Sequence, residues 1–296
     1  MIKRNDISFM TSKRRRSFLR EAAGVVGGAA VLGQTVTADT EDVTIKRNVT
    51  YRTTPFGELN ADLYLPEDET RGTLVWVHGG FWARGDKSRL DRRAMKKAEQ
   101  GFASVNINYT LSGTAPFPAA PTDVAGAVSW TREHADEYGF NTDLVGLVGR
   151  SAGAHLASLA GAAPTVFMPD DATAVPVVDT VIGFYGIYDL RVFAKREETK
   201  AVKQFMGGTF EERPAAYFRA SPASYLGDAT PSHLLLHGTE DQIIPYKASA
   251  LFADQLANAG VEHELFTAGG AGHGFDKESR WYGRTIGETT SWLDSQ

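Results

Sequence analysis

The chain has 296 residues, enough for one large or two small domains, and carries 31 Lys plus Arg against 36 Asp plus Glu, a net charge of −5. An acidic balance argues against nucleic acid and anionic membrane surfaces as partners. The chain has no cysteine, which excludes disulfides and a thiol nucleophile, and it shows no histidine–carboxylate cluster at metal-ligand spacing, so no metal or other cofactor is expected.

In chain order, Arg14-Arg15-Arg16-Ser17-Phe18-Leu19-Arg20 precedes a glycine-rich, weakly apolar stretch from Ala22 to Val36, and then Val36-Thr37-Ala38. An arginine pair, a mild apolar core and small residues at a cleavage site describe a twin-arginine export signal over residues 1–38, with the export machinery as partner and an exported location. The stretch falls short of the roughly 20 strongly apolar residues of a membrane anchor. This leader holds seven basic and two acidic residues, so residues 39–296 keep 24 basic against 34 acidic, a net of −10. Those residues are read as one domain.

Strand-like runs follow near 43–51, 57–65, 72–78, 102–110, 144–150, 179–187, 232–237 and 262–267, with helical patterns at 121–138, 152–162, 247–259 and 281–294. The first two runs have no helix between them and predict an antiparallel edge. The others alternate with helices, as a parallel sheet requires. The stretch from Leu190 to Gly227 is the least regular. Its charged first half reads as a solvated helix, while Phe193, Phe205, Met206, Tyr217 and Phe218 are candidates for one wall of a pocket or for simple packing.

The run at 144–148 leads into Gly149-Arg150-Ser151-Ala152-Gly153 and then into a helical pattern. A strand turning sharply into a helix holds Ser151 on a strained backbone with its hydroxyl clear of the sheet. A side chain at 149 or 153 would collide with the neighbouring strand or helix. Such a serine needs a base, and the base needs a carboxylate to fix its tautomer.

In this arrangement the acid and then the histidine follow the serine in the chain, which sets aside His78 and His134. His155 lies one helical turn beyond Ser151, His233 and His237 flank the apolar run 234–236, and His263 is inside a strand. His273, in the glycine-rich loop 269–275, remains as the base. Asp241 is preferred as the acid because it sits where a strand-end loop can reach a histidine on the next loop, with Glu240 as a solvated neighbour. An oxyanion site requires inward-facing amides. Ala152, directly after the serine, and Gly80 and Phe81, in the loop after the run 72–78, are the candidates, with His78 holding that loop.

The segments His78-Gly79-Gly80-Phe81-Trp82, Gly85-Asp86-Lys87, Gly149–Gly153, His237-Gly238-Thr239-Glu240-Asp241 and Gly272-His273-Gly274 together resemble the α/β-hydrolase superfamily. Asn108-Tyr109, Pro116-Phe117-Pro118-Ala119, Asp123 and Trp130 agree. More narrowly, they are similar to its carboxylesterase branch that includes bifunctional feruloyl and acetyl-xylan esterases, with hormone-sensitive-lipase-like enzymes more distant. The resemblance spans about residues 45–295.

It implies a mostly parallel, twisted sheet of eight strands with helices on both faces and a small cap or none. It further implies Ser151 as nucleophile, Asp241 as acid, His273 as base, an oxyanion site at Gly79–Phe81 and Ala152, and a short-chain or polysaccharide-linked ester as substrate. One departure stands out: Phe81 replaces a third glycine, and the resulting H-G-G-x-W form also resembles kynurenine formamidases. An arylformamidase is therefore one alternative, against which the export signal argues. A catalytically silent hydrolase fold used for binding is the other, against which the complete set of three residues argues.

Overall fold

The computed structural model describes residues 37–40, 42–197 and 200–296. Among them nine strands form one sheet: β1 (Thr37–Thr40), β2 (Val43–Thr54), β3 (Gly57–Pro66), β4 (Gly72–Val77), β5 (Phe102–Ile107), β6 (Val145–Arg150), β7 (Thr180–Phe184), β8 (Ser232–Gly238) and β9 (His263–Ala268). The spatial order is β1-β2-β3-β5-β4-β6-β7-β8-β9. The pairs β1/β2, β2/β3 and β3/β5 are antiparallel, and every later pair is parallel. All eight expected strands are present, with the antiparallel edge where it was expected. The ninth, β1, is an addition. Its Thr37 and Ala38 pair with Lys46 and Ile45, so the expected leader boundary falls inside a strand. Residues 1–36 of that leader lie outside the described residues.

Strands β4 to β7 are buried along their whole length, which is why they read as continuous apolar runs: helices cover both faces of a parallel sheet. Side-chain alternation along each strand divides the core. Val75, Val77 and Leu147 face the helices Ala119–Glu133 and Ala152–Ala162, whereas Leu74, Trp76, Val148 and Phe184 face Asp91–Ala98 and Ser279–Asp294. Two strands stop earlier than expected. β5 ends at Ile107, where Asn108 turns its side chain to the Lys87 amide (2.8 Å) and to Asp86 (3.0 Å). β7 ends at Phe184, because Tyr185 adopts φ +43°.

The irregular stretch after β7 resolves into short helices at Leu190–Glu197, Lys200–Met206 and Pro214–Arg219. They form a small cap beside the carboxyl ends of the strands. Phe205, Met206 and Tyr217 are buried in the core, Phe218 is exposed, and only Phe193 of the five residues reaches a hollow beside Ser151. For Phe205, Met206 and Tyr217 the packing reading is the correct one, and the exposed Phe218 fits neither reading.

Candidate active site

β6 and the helix Ala152–Ala162 meet at Ser151, whose φ of 54° and ψ of −120° lie in the left-handed half of backbone space. For a non-glycine residue this costs about 1–3 kcal/mol and must be enforced by its surroundings. The enforcement is visible. The Ser151 amide donates to the Phe184 carbonyl at 2.9 Å, and close packing fixes the turn on both sides. A Cβ on Gly149 would sit 2.2 Å from the Gly153 carbonyl oxygen, and one on Gly153 would sit 2.1 Å from that of Val77. Both glycines are sterically obligatory.

Loops at the carboxyl ends of β8 and β9 bring Asp241 and His273 to this turn. His273 Nε2 lies 3.1 Å from Ser151 Oγ, and His273 Nδ1 lies 2.7 Å from Asp241 Oδ2. Asp241 is buried, and its Oδ1 accepts the amides of Ile243 (2.8 Å) and Ile244 (2.9 Å). Its Oδ2 also faces His237 Nε2 at 3.2 Å. That nitrogen lies 2.9 Å from the Ile244 carbonyl, which can only accept, so it carries the proton. Four donors thus surround one carboxylate. Burial pushes its pKa up, but the hydrogen bonds from His237, His273 and the Ile244 amide outweigh that and hold it well below the usual carboxylate range. An ionised Asp241 requires a proton on His273 Nδ1, which leaves the Nε2 lone pair facing the serine hydroxyl.

Glu240 is exposed. His237 hydrogen-bonds Asp241, Ser249 and the Ile244 carbonyl. Its role as a second imidazole on Asp241 had no sequence signal beyond the i, i+4 spacing of 237 and 241.

The loop after β4 runs against the serine, since a Cβ on Gly79 would lie 3.2 Å from Ser151 Cβ. Gly80, Phe81 and Trp82 all have positive φ (138°, 57° and 57°), and a Cβ on Gly80 would overlap the Arg84 carbonyl. Neither Gly80 nor Phe81 donates its amide in a hydrogen bond among the described residues. Ala152 opens an eleven-residue helix, so its amide is one of the orphan donors of a helix start, at the positive end of the macrodipole.

Buried anchors offset the strain in this loop. Trp82 Nε1 donates to His155 Nδ1 (3.0 Å), His155 Nε2 donates to the Ala220 carbonyl (2.7 Å), and Trp82 stacks on Phe205 with centroids 4.7 Å apart. Burying a side chain of this size contributes about 1.5–3 kcal/mol. His78 stacks on Tyr109 at 4.3 Å, and burial lowers its pKa to about 4. It holds the loop as a neutral ring.

Sequence reasoning missed a second buried carboxylate, Asp276, three residues past His273. It is fully buried between Arg93 Nε (3.0 Å), the Arg150 guanidinium and the Tyr185 hydroxyl (2.6 Å). Tyr185 also packs its ring against His273, with centroids 4.4 Å apart. Asp276 therefore ties the histidine loop to β6 one residue before Ser151.

Two hollows meet at Ser151. One, of about 220 Å³, is walled by Trp82, Ile187, Phe193, Val202 and Ile244. The other, of about 260 Å³, contains His273 and Tyr185 together with four cationic residues. Phe81 borders both.

The BD-FAE family matches over residues 61–256, two thirds of the chain. The chain belongs to the BD-FAE family. Among curated relatives, it is similar to esterase LipQ of Mycobacterium tuberculosis (strain ATCC 25618 / H37Rv), with 31% identity over 225 residues, covering 74% of this chain and 53% of that protein. It is also similar to an acetyl esterase of Salmonella paratyphi B, with 32% identity over 139 residues, covering 47% of this chain and 42% of the other. The chain spans about half the length of these relatives. Among solved structures, a truncated carbohydrate esterase from gut microbiota superposes with a TM-score of 0.76 at 22% identity, covering 87% of this chain and 99% of that one. The propionate-bound esterase Est2 of Thermogutta terrifontis gives 0.74 at 24% identity, covering 84% and 93%. At such identities the structural likeness speaks for the fold, which is that of an α/β-hydrolase.

Proposed function

We propose that this BD-FAE protein is a serine hydrolase that cleaves carboxylic esters through an acyl-enzyme. The observation that carries the reading is the unbroken line Asp241 Oδ2, His273 Nδ1, His273 Nε2, Ser151 Oγ at 2.7 and 3.1 Å. Ser151 attacks the ester carbonyl as His273 takes its proton, and Asp241 stabilises the imidazolium that forms. The amides of Ala152 and of Gly80 or Phe81 hold the developing oxyanion, each worth about 3–4 kcal/mol in the transition state. His273 then protonates the departing alcohol. Water, deprotonated by the same imidazole, releases the acid and restores Ser151.

The 220 Å³ apolar hollow at Ala152 supports a short acyl group, closed off by Phe193 and Val202. The likeness to proteins named acetyl esterase and carbohydrate esterase agrees with short acyl groups on a polysaccharide. The twin-arginine pattern at Arg14–Arg16 supports export, which would bring the protein to such a substrate.

The test is hydrolysis of p-nitrophenyl esters from acetate to palmitate, with acetylated xylan and methyl ferulate alongside. The expected result is turnover that falls steeply as the acyl chain lengthens and is lost in Ser151→Ala and His273→Ala. A folded protein that hydrolyses none of these esters would contradict the reading.

A further inference from the structure

The hollow on the His273 side of Ser151 departs sharply from the rest of the molecule in charge. Arg84, Arg89, Arg150 and Lys277 line it, and no acidic side chain does, in a chain whose net charge is −5. Arg150 is committed to Asp276. The other three make no ion pair among the described residues, and all three are exposed to the hollow's solvent. Arg84 lies over the Phe81 ring, 5.5 Å from its centroid. Burial and the like charge of Arg150 lower the Lys277 pKa, and Arg89 adds to this, while Asp276 opposes it without cancelling it. Asp276 is the one buried carboxylate beside this group and is already shared by Arg93 and Arg150. Positive charge in excess of its counterions is destabilising in the free protein, and an anion placed among Arg84, Arg89 and Lys277 relieves that repulsion.

The site chemistry says which half of an ester would lie there. His273 must hand its proton to the leaving oxygen, and His273 lines this hollow and not the apolar one. The acyl group thus takes the apolar hollow and the alcohol takes the cationic one. Resting on the esterase reading above, we infer that the alcohol portion of the substrate carries an anionic group, a carboxylate or a phosphate, received by Arg84, Arg89 and Lys277. Arginine offers such groups a planar fork of donors, and lysine a point charge.

The test uses acetyl esters of one phenol scaffold: 4-acetoxybenzoate, 4-acetoxyphenyl phosphate and neutral 4-acetoxybenzamide. Each kcat/KM is divided by that ester's hydroxide-catalysed rate, which removes differences in leaving-group reactivity. At low salt the favoured anionic ester should exceed the neutral one by about tenfold, carried by KM. The advantage should shrink toward unity at about 0.5 M NaCl as the charges are screened. Whether benzoate or phosphate shows the larger advantage distinguishes the two anions. In Arg84→Gln/Arg89→Gln/Lys277→Gln the ratio should collapse to about one, while Arg89→Lys/Lys277→Arg should retain most of it.

Equal normalised rates for all three esters in the native protein, or a ratio insensitive to salt, would overturn the anionic subsite and leave the esterase reading standing. No hydrolysis of any of the three by folded protein would overturn the esterase reading, and the subsite with it. The salt titration needs no variant, so misfolding of the triple substitution cannot shield the inference.

Discussion

Two loops at the carboxyl edge of the sheet, one after β8 and one after β9, each bury an aspartate, and the two are solvated by the protein in opposite ways. Asp241 is surrounded by neutral donors, two backbone amides and two imidazoles. Asp276 is surrounded by two guanidiniums and a phenol. A carboxylate among neutral dipoles keeps its charge available to stabilise a new cation, which in the proposed mechanism is the His273 imidazolium. A carboxylate already matched by fixed cations has none to spare and serves as a fastening. Burial alone therefore does not distinguish the two aspartates; the charge of their partners does, and it favours Asp241 as the acid of the proposed mechanism.

Breaking the neutral-donor side should have the largest effect on rate. Asp241→Asn removes the charge and inverts the tautomer logic of His273, with an expected loss on the order of ten-thousandfold in kcat and little change in fold by circular dichroism. Asp276→Asn should reverse that pattern. Leaving Arg93 and Arg150 buried without a counter-charge costs about 3–5 kcal/mol of stability, read as a lower urea midpoint, while the remaining folded fraction keeps most of its activity. A loss of activity from Asp276→Asn as deep as that from Asp241→Asn, at unchanged stability, would erase the contrast.

Acid should also unsettle the buried imidazoles that lie outside the Asp241 and Asp276 clusters. Burial lowers the pKa of His78, His155 and His233 to about 4 each. Between pH 6.5 and 4 the unfolded chain therefore binds protons that the folded one refuses. Stability is complete above 6.5 and falls as pH drops through this window, by up to about 3 kcal/mol per histidine. Asp241, with its depressed pKa, adds a further loss below the ordinary carboxylate range. A flat urea midpoint from pH 7 to 4 would contradict this.

Changes beside Asp241 should have smaller effects. His237→Phe removes one of four donors from Asp241 and orphans Ser249 and the Ile244 carbonyl, for about 1–3 kcal/mol of stability and a rate loss well short of that of Asp241→Asn. Glu240→Gln, at an exposed position, should change neither quantity measurably.

Much of this arrangement is legible in the sequence because its signals are local. The serine stands between glycines that a strand-to-helix turn requires, and the parallel strands are unbroken apolar runs bounded by loops. What escaped is distributed. Asp276 meets Arg150 across 126 residues and Arg93 across 183, and no short window holds both halves of such a pair. The aromatic residues after Leu190 show the same limit from the other side. Phe193 and Phe205 look alike in sequence, yet only Phe193 lines the hollow at the serine, because the short helices rotate Phe205 onto Trp82. The strand Thr37–Thr40 escaped because its residues read as the end of a leader.

The proposed function requires His273 to make Ser151 reactive as a nucleophile. Mass-spectrometric mapping of the residue modified by a fluorophosphonate probe, in the native protein and in His273→Ala, tests it most directly. The expected result is a single adduct on Ser151 in the native protein and almost none in the variant. An adduct on another residue, or equal labelling of Ser151 without the imidazole, would contradict the account.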